Sequence, residues 1–212
     1  IPRLSPGAPL LRAWVFSRRT LVPSSDIEDF WARQLDEIPP LAKEAGLLGL
    51  TPIWNEEEYS KLVENILGLI AQGDCYQVNL TMPITGLYYG SPLAIYARLR
   101  ENQTVSQAAL IRDQGQWILS RSPELFVESS GRCVIRRPMK GTSRRGNTPQ
   151  QDLEFVETLK TSEKNRAENL MIVDLIRNDL GRLASPGKIR TKTLFEIETF
   201  ETLHQMTSTV QA

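Results

Sequence analysis

The sequence predicts an α+β fold, in which strands grouped in runs lie between amphipathic helices. Three observations carry this expectation. Apolar residues recur at helical spacing in two segments, Ile27, Phe30, Trp31, Leu35, Ile38 and then Tyr59, Leu62, Val63, Ile66, Ile70. Short apolar runs near Ala108, Trp117, Leu125 and Val134 are separated by turn-like polar residues, as in an antiparallel meander. No repeat or low-complexity segment interrupts the pattern.

Taken in order, Leu10 to Val22 alternates loosely around Trp14, Val15 and Phe16 and reads as a strand or hairpin. Ser24 and Ser25 open the first helix, and Pro39-Pro40 stops it, because proline cannot donate to a continuing helical ladder. Lys43 to Pro52 contains glycine and reads as a loop. Asn55 is a good N-cap for the second helix, and Gly73 closes it. Cys75 to Thr81 alternates, with Tyr76, Val78 and Leu80 on one face and Gln77, Asn79 and Thr81 on the other, the pattern of a half-buried strand. Ser91-Pro92 starts a helix to about Arg100, and the meander follows. Thr148-Pro149 opens a helical region, Ser162 restarts it, and Ala167 to Leu180 continues to a stop at Gly181. Lys188 to Thr193 and Met206 to Val210 complete the pattern as late strands.

Composition narrows the function. Lys plus Arg and Asp plus Glu both number 25, so no overall field recruits a polyanion or an anionic membrane, and a nucleic-acid partner is disfavoured. The densest apolar stretch, Leu47 to Trp54, falls far short of the roughly 20 residues of a spanning helix. The first residues lack the sections of a secretory signal, which leads to an expectation of a cytoplasmic protein. Cys75 and Cys133 have no metal-ligand spacing and read as reduced packing residues. A chain that begins at Ile1 and ends at Gln211-Ala212 is compatible with a fragment.

Four segments combine polar residues with otherwise routine patterns: GDCYQVNLT (Gly73 to Thr81), SPELF (Ser122 to Phe126), RPMKGT (Arg137 to Thr142) and AENLMIVDLIRNDLGR (Ala167 to Arg182). Lys140, two residues after Pro138 and followed by Gly141, stands among Arg136, Arg137, Arg144 and Arg145. Mutual repulsion in such a crowd favours a neutral amine held against a ligand; the other reading is a solvated basic loop that recognises an anion. Glu124 begins the strand-like run Leu125 to Val127. Pairing around a turn at Ser129 to Gly131 would bring it to the Lys140 loop, although it also reads as a surface glutamate at a strand end. Asn165 and Glu168 share one helix face, and their oxygens either hold a hard cation such as Mg²⁺ or form a solvated face. Arg177, Asn178 and Asp179 read as structural hydrogen-bonding groups, and the sole histidine, His204, as either structural or functional.

Together, and in this order, the four segments resemble the chorismate-binding enzyme family, which includes anthranilate, aminodeoxychorismate, isochorismate and salicylate synthases. The resemblance runs from about Asn55 to Val210. It implies residues 55–212 as a catalytic core, residues 1–54 as a partial N-terminal region, and an antiparallel β-sheet sandwich with outer helices. It also implies that the core is incomplete, because relatives continue into a GAPK-type motif and a later pair of metal-binding glutamates.

The resemblance further implies roles. Lys140 corresponds to a nucleophilic lysine of the aminodeoxychorismate synthases, where anthranilate synthases carry alanine. Glu124 corresponds to the general acid for the departing hydroxyl. Gln77 stands where isochorismate-type enzymes place a water-activating lysine, which argues against hydroxylation. Gln77, Thr142 and His204 fall at substrate-binding positions, and Glu168 and Asn165 at Mg²⁺ positions. Asn165 departs from the usual carboxylate and would coordinate through its amide oxygen with less charge. The implied reaction is amination of chorismate to 4-amino-4-deoxychorismate, on the route to para-aminobenzoate and folate. Its implied partner is a glutamine amidotransferase that delivers ammonia. The alternatives are anthranilate synthase component I, which Lys140 disfavours, and a truncated non-catalytic homologue, which Asn165 and the early end of the chain favour.

Overall fold

A computed structural model describes residues 12–102 and 104–212. The chain divides into two compact units, Ile1–Pro39 and Pro40–Ala212. In the first, a 3-10 turn, Ser24–Asp26, leads into helix α1, Ile27–Asp36, where Phe30 and Trp31 meet edge to face with centroids 6.0 Å apart. The strand expected over Leu10 to Val22 is absent from its described part. Residues 12–22 are irregular, and among the described residues no partner strand completes a ladder with them. Leu10 itself lies outside the described residues.

The second unit begins with a short helix α2, Pro40–Lys43, and strand β1, Gly46–Pro52. Helix α3, Glu56–Gln72, follows, and then β2, Ile84–Tyr89, which pairs antiparallel with β1. The loop expected over Lys43 to Pro52 is thus largely a strand. The register shifts between Leu48 and Thr51, where Gly49 adopts φ +59, so its glycine marks a bulge within the ladder.

Helix α3 has the expected ends. Asn55 accepts the Glu58 N–H at 2.9 Å, while the Glu58 carboxylate accepts the Asn55 N–H at 3.0 Å, a reciprocal capping box. The strand expected over Cys75 to Thr81 does not form. Val78 and Leu80 instead line a groove with Val63, Ile66 and Ile70, the apolar stripe of α3. Alternation satisfied by packing on a helix leaves no ladder to build.

Helix α4, Pro92–Asn102, is tied to the start of β1 by Arg98, whose Nη1 donates to the Ala45 carbonyl at 2.7 Å. Strands β3, Gln107–Asp113, and β4, Gln116–Ser122, form a hairpin through Gln114 and Gly115, both at positive φ as a type I′ turn requires. The expected meander breaks here. Strands β5, Leu125–Ser130, and β6, Cys133–Arg137, pair with each other and belong to a different sheet from β3 and β4.

This third sheet carries the candidate site. It is completed by β7, Met139–Arg144, β8, Arg190–Thr199, and β9, Leu203–Gln211. Strand β9 is central: β6 and β7 run end to end along one edge of it, and β8 pairs with the other. Between β7 and β8 the chain forms α5, Pro149–Thr161, capped by Thr148, and α6, Glu163–Gly181, capped by Ser162. His204, Met206, Ser208 and Val210 alternate along β9 and are all buried, with Val210 against Val173, Ile176 and Leu180 of α6. Each such apolar side chain contributes about 1.5–3 kcal/mol on burial, which holds α6 on the sheet.

Candidate active site

Strands β5 and β6 pair from Ser130↔Cys133 to Leu125↔Arg137, which returns the chain to the residue that opened β5. The Glu124 carboxylate accepts the Met139 backbone N–H at 3.1 Å, one residue before Lys140. The sequence expectation that Glu124 meets the Lys140 segment therefore holds in the fold. A cleft of about 230 Å³ opens beside Glu124, between Leu125 and Phe126, Arg136 and Pro138, and Ile176 of α6.

The basic cluster is organised differently from the expected crowd of repelling cations. Arg136 pairs with Asp179 at 3.4 Å and donates to the Phe126 carbonyl at 3.1 Å. Arg137 pairs with Glu198, Arg145 with Asp152, and Arg144 lies 4.9 Å from the centre of the Phe155 ring. Alternation along the strands sends successive arginines to different partners, so each finds its own carboxylate or ring. Among the described residues the half-buried Lys140 side chain makes no hydrogen bond or ion pair. Asp179, read from sequence as structural, does hold Arg136, and Arg177 reaches Asp174 at 3.3 Å.

Lys140 and Gly141 sit in a bulge. Met139 opposes Thr207 and Thr142 opposes Gln205, so three steps along β7 match two along β9. Gly141 has φ +97, and a Cβ there would stand 3.1 Å from Asn165 Cβ and 3.3 Å from Leu159 Cδ1. Only glycine meets both demands at ordinary cost. This close approach brings the strand that carries Lys140 against the start of α6. Thr142 donates from Oγ1 to Gln205 Oε1 at 2.9 Å on the neighbouring strand.

His204 is 1% exposed, and both its ring nitrogens are occupied. Nε2 lies 2.9 Å from Asp152 Oδ1, and Nδ1 lies 2.9 Å from Thr199 Oγ1. With Nε2 carrying a proton the ring donates to the acceptor-only Asp152 carboxylate, and Nδ1 pairs with the threonine hydroxyl, which can donate or accept. The ring is thus engaged inside the fold on both sides, by Asp152 of α5 and Thr199 of β8.

Asp152 is the residue that the sequence reading missed. It receives Arg145 from Nε at 2.9 Å and Nη2 at 2.8 Å, as well as the Gly146 N–H at 2.7 Å. The Arg145 guanidinium, then the Gly146 N–H and the His204 ring, hold its carboxyl well below the usual carboxylate range, against the opposing effect of burial. The available signal was an Arg-Gly pair followed by an aspartate in the first turn of the next helix.

Asn165 and Glu168 lie one turn apart on α6, both half-buried. Asn165 donates from Nδ2 to Ser162 Oγ at 3.0 Å, which fixes the amide and leaves Oδ1 as its remaining donor to a cation. Glu168 has Lys164 at 4.0 Å. Among the described residues no group of three or more His, Cys, Asp or Glu side chains is gathered. One carboxylate and one amide oxygen nevertheless fit Mg²⁺, which commonly takes one or two protein oxygens and completes its shell with water and substrate. Gln77 is exposed in the irregular segment before β2, and no hydrogen bond among the described residues ties it to the Lys140 strand.

Comparison with known proteins decides the family. Residues 17–212 match the chorismate binding enzyme family. The chain belongs to that family. It is 41% identical over 173 residues to aminodeoxychorismate synthase component 1 of Klebsiella aerogenes, covering 79% of this chain and 38% of that protein. The corresponding protein of Bacillus subtilis is 34% identical over 188 residues, covering 88% of this chain and 40% of the relative. The chain thus spans well under half the length of these curated relatives. Among solved structures, anthranilate synthase component I from Streptococcus pneumoniae superposes with a TM-score of 0.71 at 25% identity, covering 90% of this chain and 43% of that one. The menaquinone-specific isochorismate synthase from Escherichia coli gives 0.58 at 15% identity, covering 82% and 40%, a likeness of fold alone. The predicted mixture of antiparallel sheets and helices is therefore the architecture of this chorismate-binding family.

Proposed function

We propose that the protein acts as an aminodeoxychorismate synthase component 1, aminating chorismate with ammonia to 4-amino-4-deoxychorismate. The observation that carries this reading is the Glu124 carboxylate on the Met139 N–H, immediately before a lysine without a partner among the described residues. An acid and an amine brought onto adjoining backbone suit a substitution in which a hydroxyl must leave. Identity of 34–41% to curated aminodeoxychorismate synthases supports the same choice.

In this mechanism the Lys140 amine attacks the chorismate ring, forming a C–N bond and giving up a proton, while Glu124 protonates the hydroxyl that departs as water. Ammonia then displaces the lysine, which takes back a proton as its bond to the ring breaks. Dividing one substitution into two lowers the barrier to each. Arg137 and Glu198, joined across β9, and Thr142 with Gln205 present polar groups on the same sheet face. Mg²⁺, held by Glu168 and the Asn165 amide oxygen, would neutralise a substrate carboxylate. A glutamine amidotransferase partner would supply the ammonia, in the cytoplasm; among the described residues no helix is long and apolar enough to cross a membrane.

Chromatography of the products formed by the complete gene product from chorismate, ammonia and Mg²⁺ tests the proposal. Aminodeoxychorismate is expected. Anthranilate as the dominant product, or no turnover, would overturn it.

A further inference from the structure

We infer that Asp152 is a positioning residue for Lys140, fixing the far end of the bulged strand that carries the amine. This rests on the function proposed above and adds to it a residue on another element, α5. Within the bulge the ladder does not determine the backbone of Lys140 and Gly141, because two residues share one place opposite β9. Since Lys140 has no side-chain partner among the described residues, its placement depends on how the strand is held on either side.

The near side is held by Glu124 on the Met139 N–H at 3.1 Å and by the Ser208 N–H, which donates to the Pro138 carbonyl at 3.2 Å. On the far side the ladder resumes at Thr142, continues through Ser143↔His204 and ends at Arg144↔Leu203, with Arg145 the next residue. There Asp152 takes both the Arg145 fork and the Gly146 N–H, and its Oδ1 also meets His204 Nε2. Arg145 reaches on to the Phe200 carbonyl at 2.7 Å. One carboxylate therefore joins the exit of β7, the start of α5 and the strand β9 against which the bulge is measured. The seating is close: a Cβ on Gly146 would stand 2.2 Å from the Asp152 backbone nitrogen.

The first turn of α5 has separate means of support. Thr148 accepts the Gln151 N–H at 3.2 Å, and the Gln151 side chain accepts the Asn147 N–H at 2.8 Å. Capping and strand positioning are thus divided between different side chains, and substitutions can separate them.

The test uses the complete gene product. Asp152→Asn keeps the shape and removes the charge that receives Arg145. Its kcat for aminodeoxychorismate should fall about 10²-fold, the scale of a misplaced reacting group, with KM for chorismate changed by less than about threefold. In a Lys140→Ala background the same change should alter the residual rate by less than about twofold, because its effect passes through the lysine. Thr148→Ala should lower the unfolding temperature and leave kcat near the parent value. Losses that multiply with Lys140→Ala, an unchanged kcat in Asp152→Asn, or equal kcat losses in Thr148→Ala would each overturn the inference. A second readout is independent of the product: acylation of Lys140 relative to exposed Lys160, followed by peptide mass spectrometry. Asp152→Asn should shift that ratio severalfold. An unchanged ratio would overturn the positioning role whatever the enzyme makes, whereas a shifted ratio alongside a different product would leave it standing and overturn only the proposed reaction.

Discussion

Glu124 and Met139 are joined by a single hydrogen bond of 3.1 Å, from a backbone N–H to a carboxylate, and the next residue is Lys140. The bond orients the Glu124 carboxylate on the strand that carries the amine. The Glu124 carboxylate and the Lys140 segment are thereby tied into one local unit.

If they serve one step, their losses should not multiply. Glu124→Gln is expected to reduce product formation by about 10²–10⁴-fold, the range of a general acid, with a smaller change in chorismate binding. Lys140→Ala should also reduce it, leaving binding intact. The double variant should be close to the worse single variant. Rates measured at saturating chorismate, ammonia and Mg²⁺ for all three decide the matter, and full activity in Lys140→Ala or multiplied losses would remove the pair from the mechanism.

Gly141 faces two constraints, φ +97 and a neighbour at 3.1 Å on Asn165. Gly141→Ala should destabilise the fold by about 1 kcal/mol or more through the positive φ, and should also push β7 from α6. Gly187, also at positive φ (+77) but with nothing within 4 Å of where a Cβ would stand, isolates the backbone effect. Thermal unfolding of the two alanine variants should show the larger loss at Gly141. Equal losses would mean that the packing against Asn165 contributes nothing.

Asp152 sets an acid limit. Its folded-state carboxyl is held below the ordinary range by Arg145, Gly146 and His204, so the associated stability is fully present above the unfolded value of about 3.9. It declines as pH falls from there toward the folded-state value. Denaturant unfolding of the parent and Asp152→Asn should therefore show the parent more stable at pH 7, with the gap narrowing below about pH 4. A gap of constant size across that interval would be inconsistent with the charge on Asp152 as its source.

Asn165 supplies an amide oxygen where a second carboxylate would bind a hard cation more strongly. Asn165→Asp is expected to lower the Mg²⁺ concentration needed for half-maximal activity, while Glu168→Gln raises it. The Mg²⁺ dependence of product formation measures both. An unaltered dependence in the two variants would place the metal elsewhere.

The helices were legible because their signals are local. Asn55 and Glu58 complete a capping box within one turn, and Thr148 and Ser162 accept N–H groups three residues ahead. Strands were less legible because a strand exists only if a partner meets it. Leu47, Leu48 and Leu50 found β2 and became β1, whereas Val78 and Leu80 found the stripe of α3 and formed no ladder. Glycine was ambiguous for the same reason: Gly49 marks a bulge in a ladder and Gly73 a helix end, though both have positive φ.

The sequence by itself determined the fold class and the helix ends, and it singled out Glu124, Lys140 and Glu168 as candidates, all of which depends on neighbours in the chain or on residue type. Tertiary structure decided what those residues and their neighbours touch. It paired each arginine of the basic run with a separate carboxylate or ring, turned His204 inward onto Asp152 and Thr199, and brought Gly141 against Asn165. Such contacts join residues far apart in sequence, and their geometry is fixed only when strands choose partners and helices settle on the sheet. Asp152 shows the difference most plainly: an unremarkable acid in the first turn of a helix became the junction of three elements because β9 brought His204 to it.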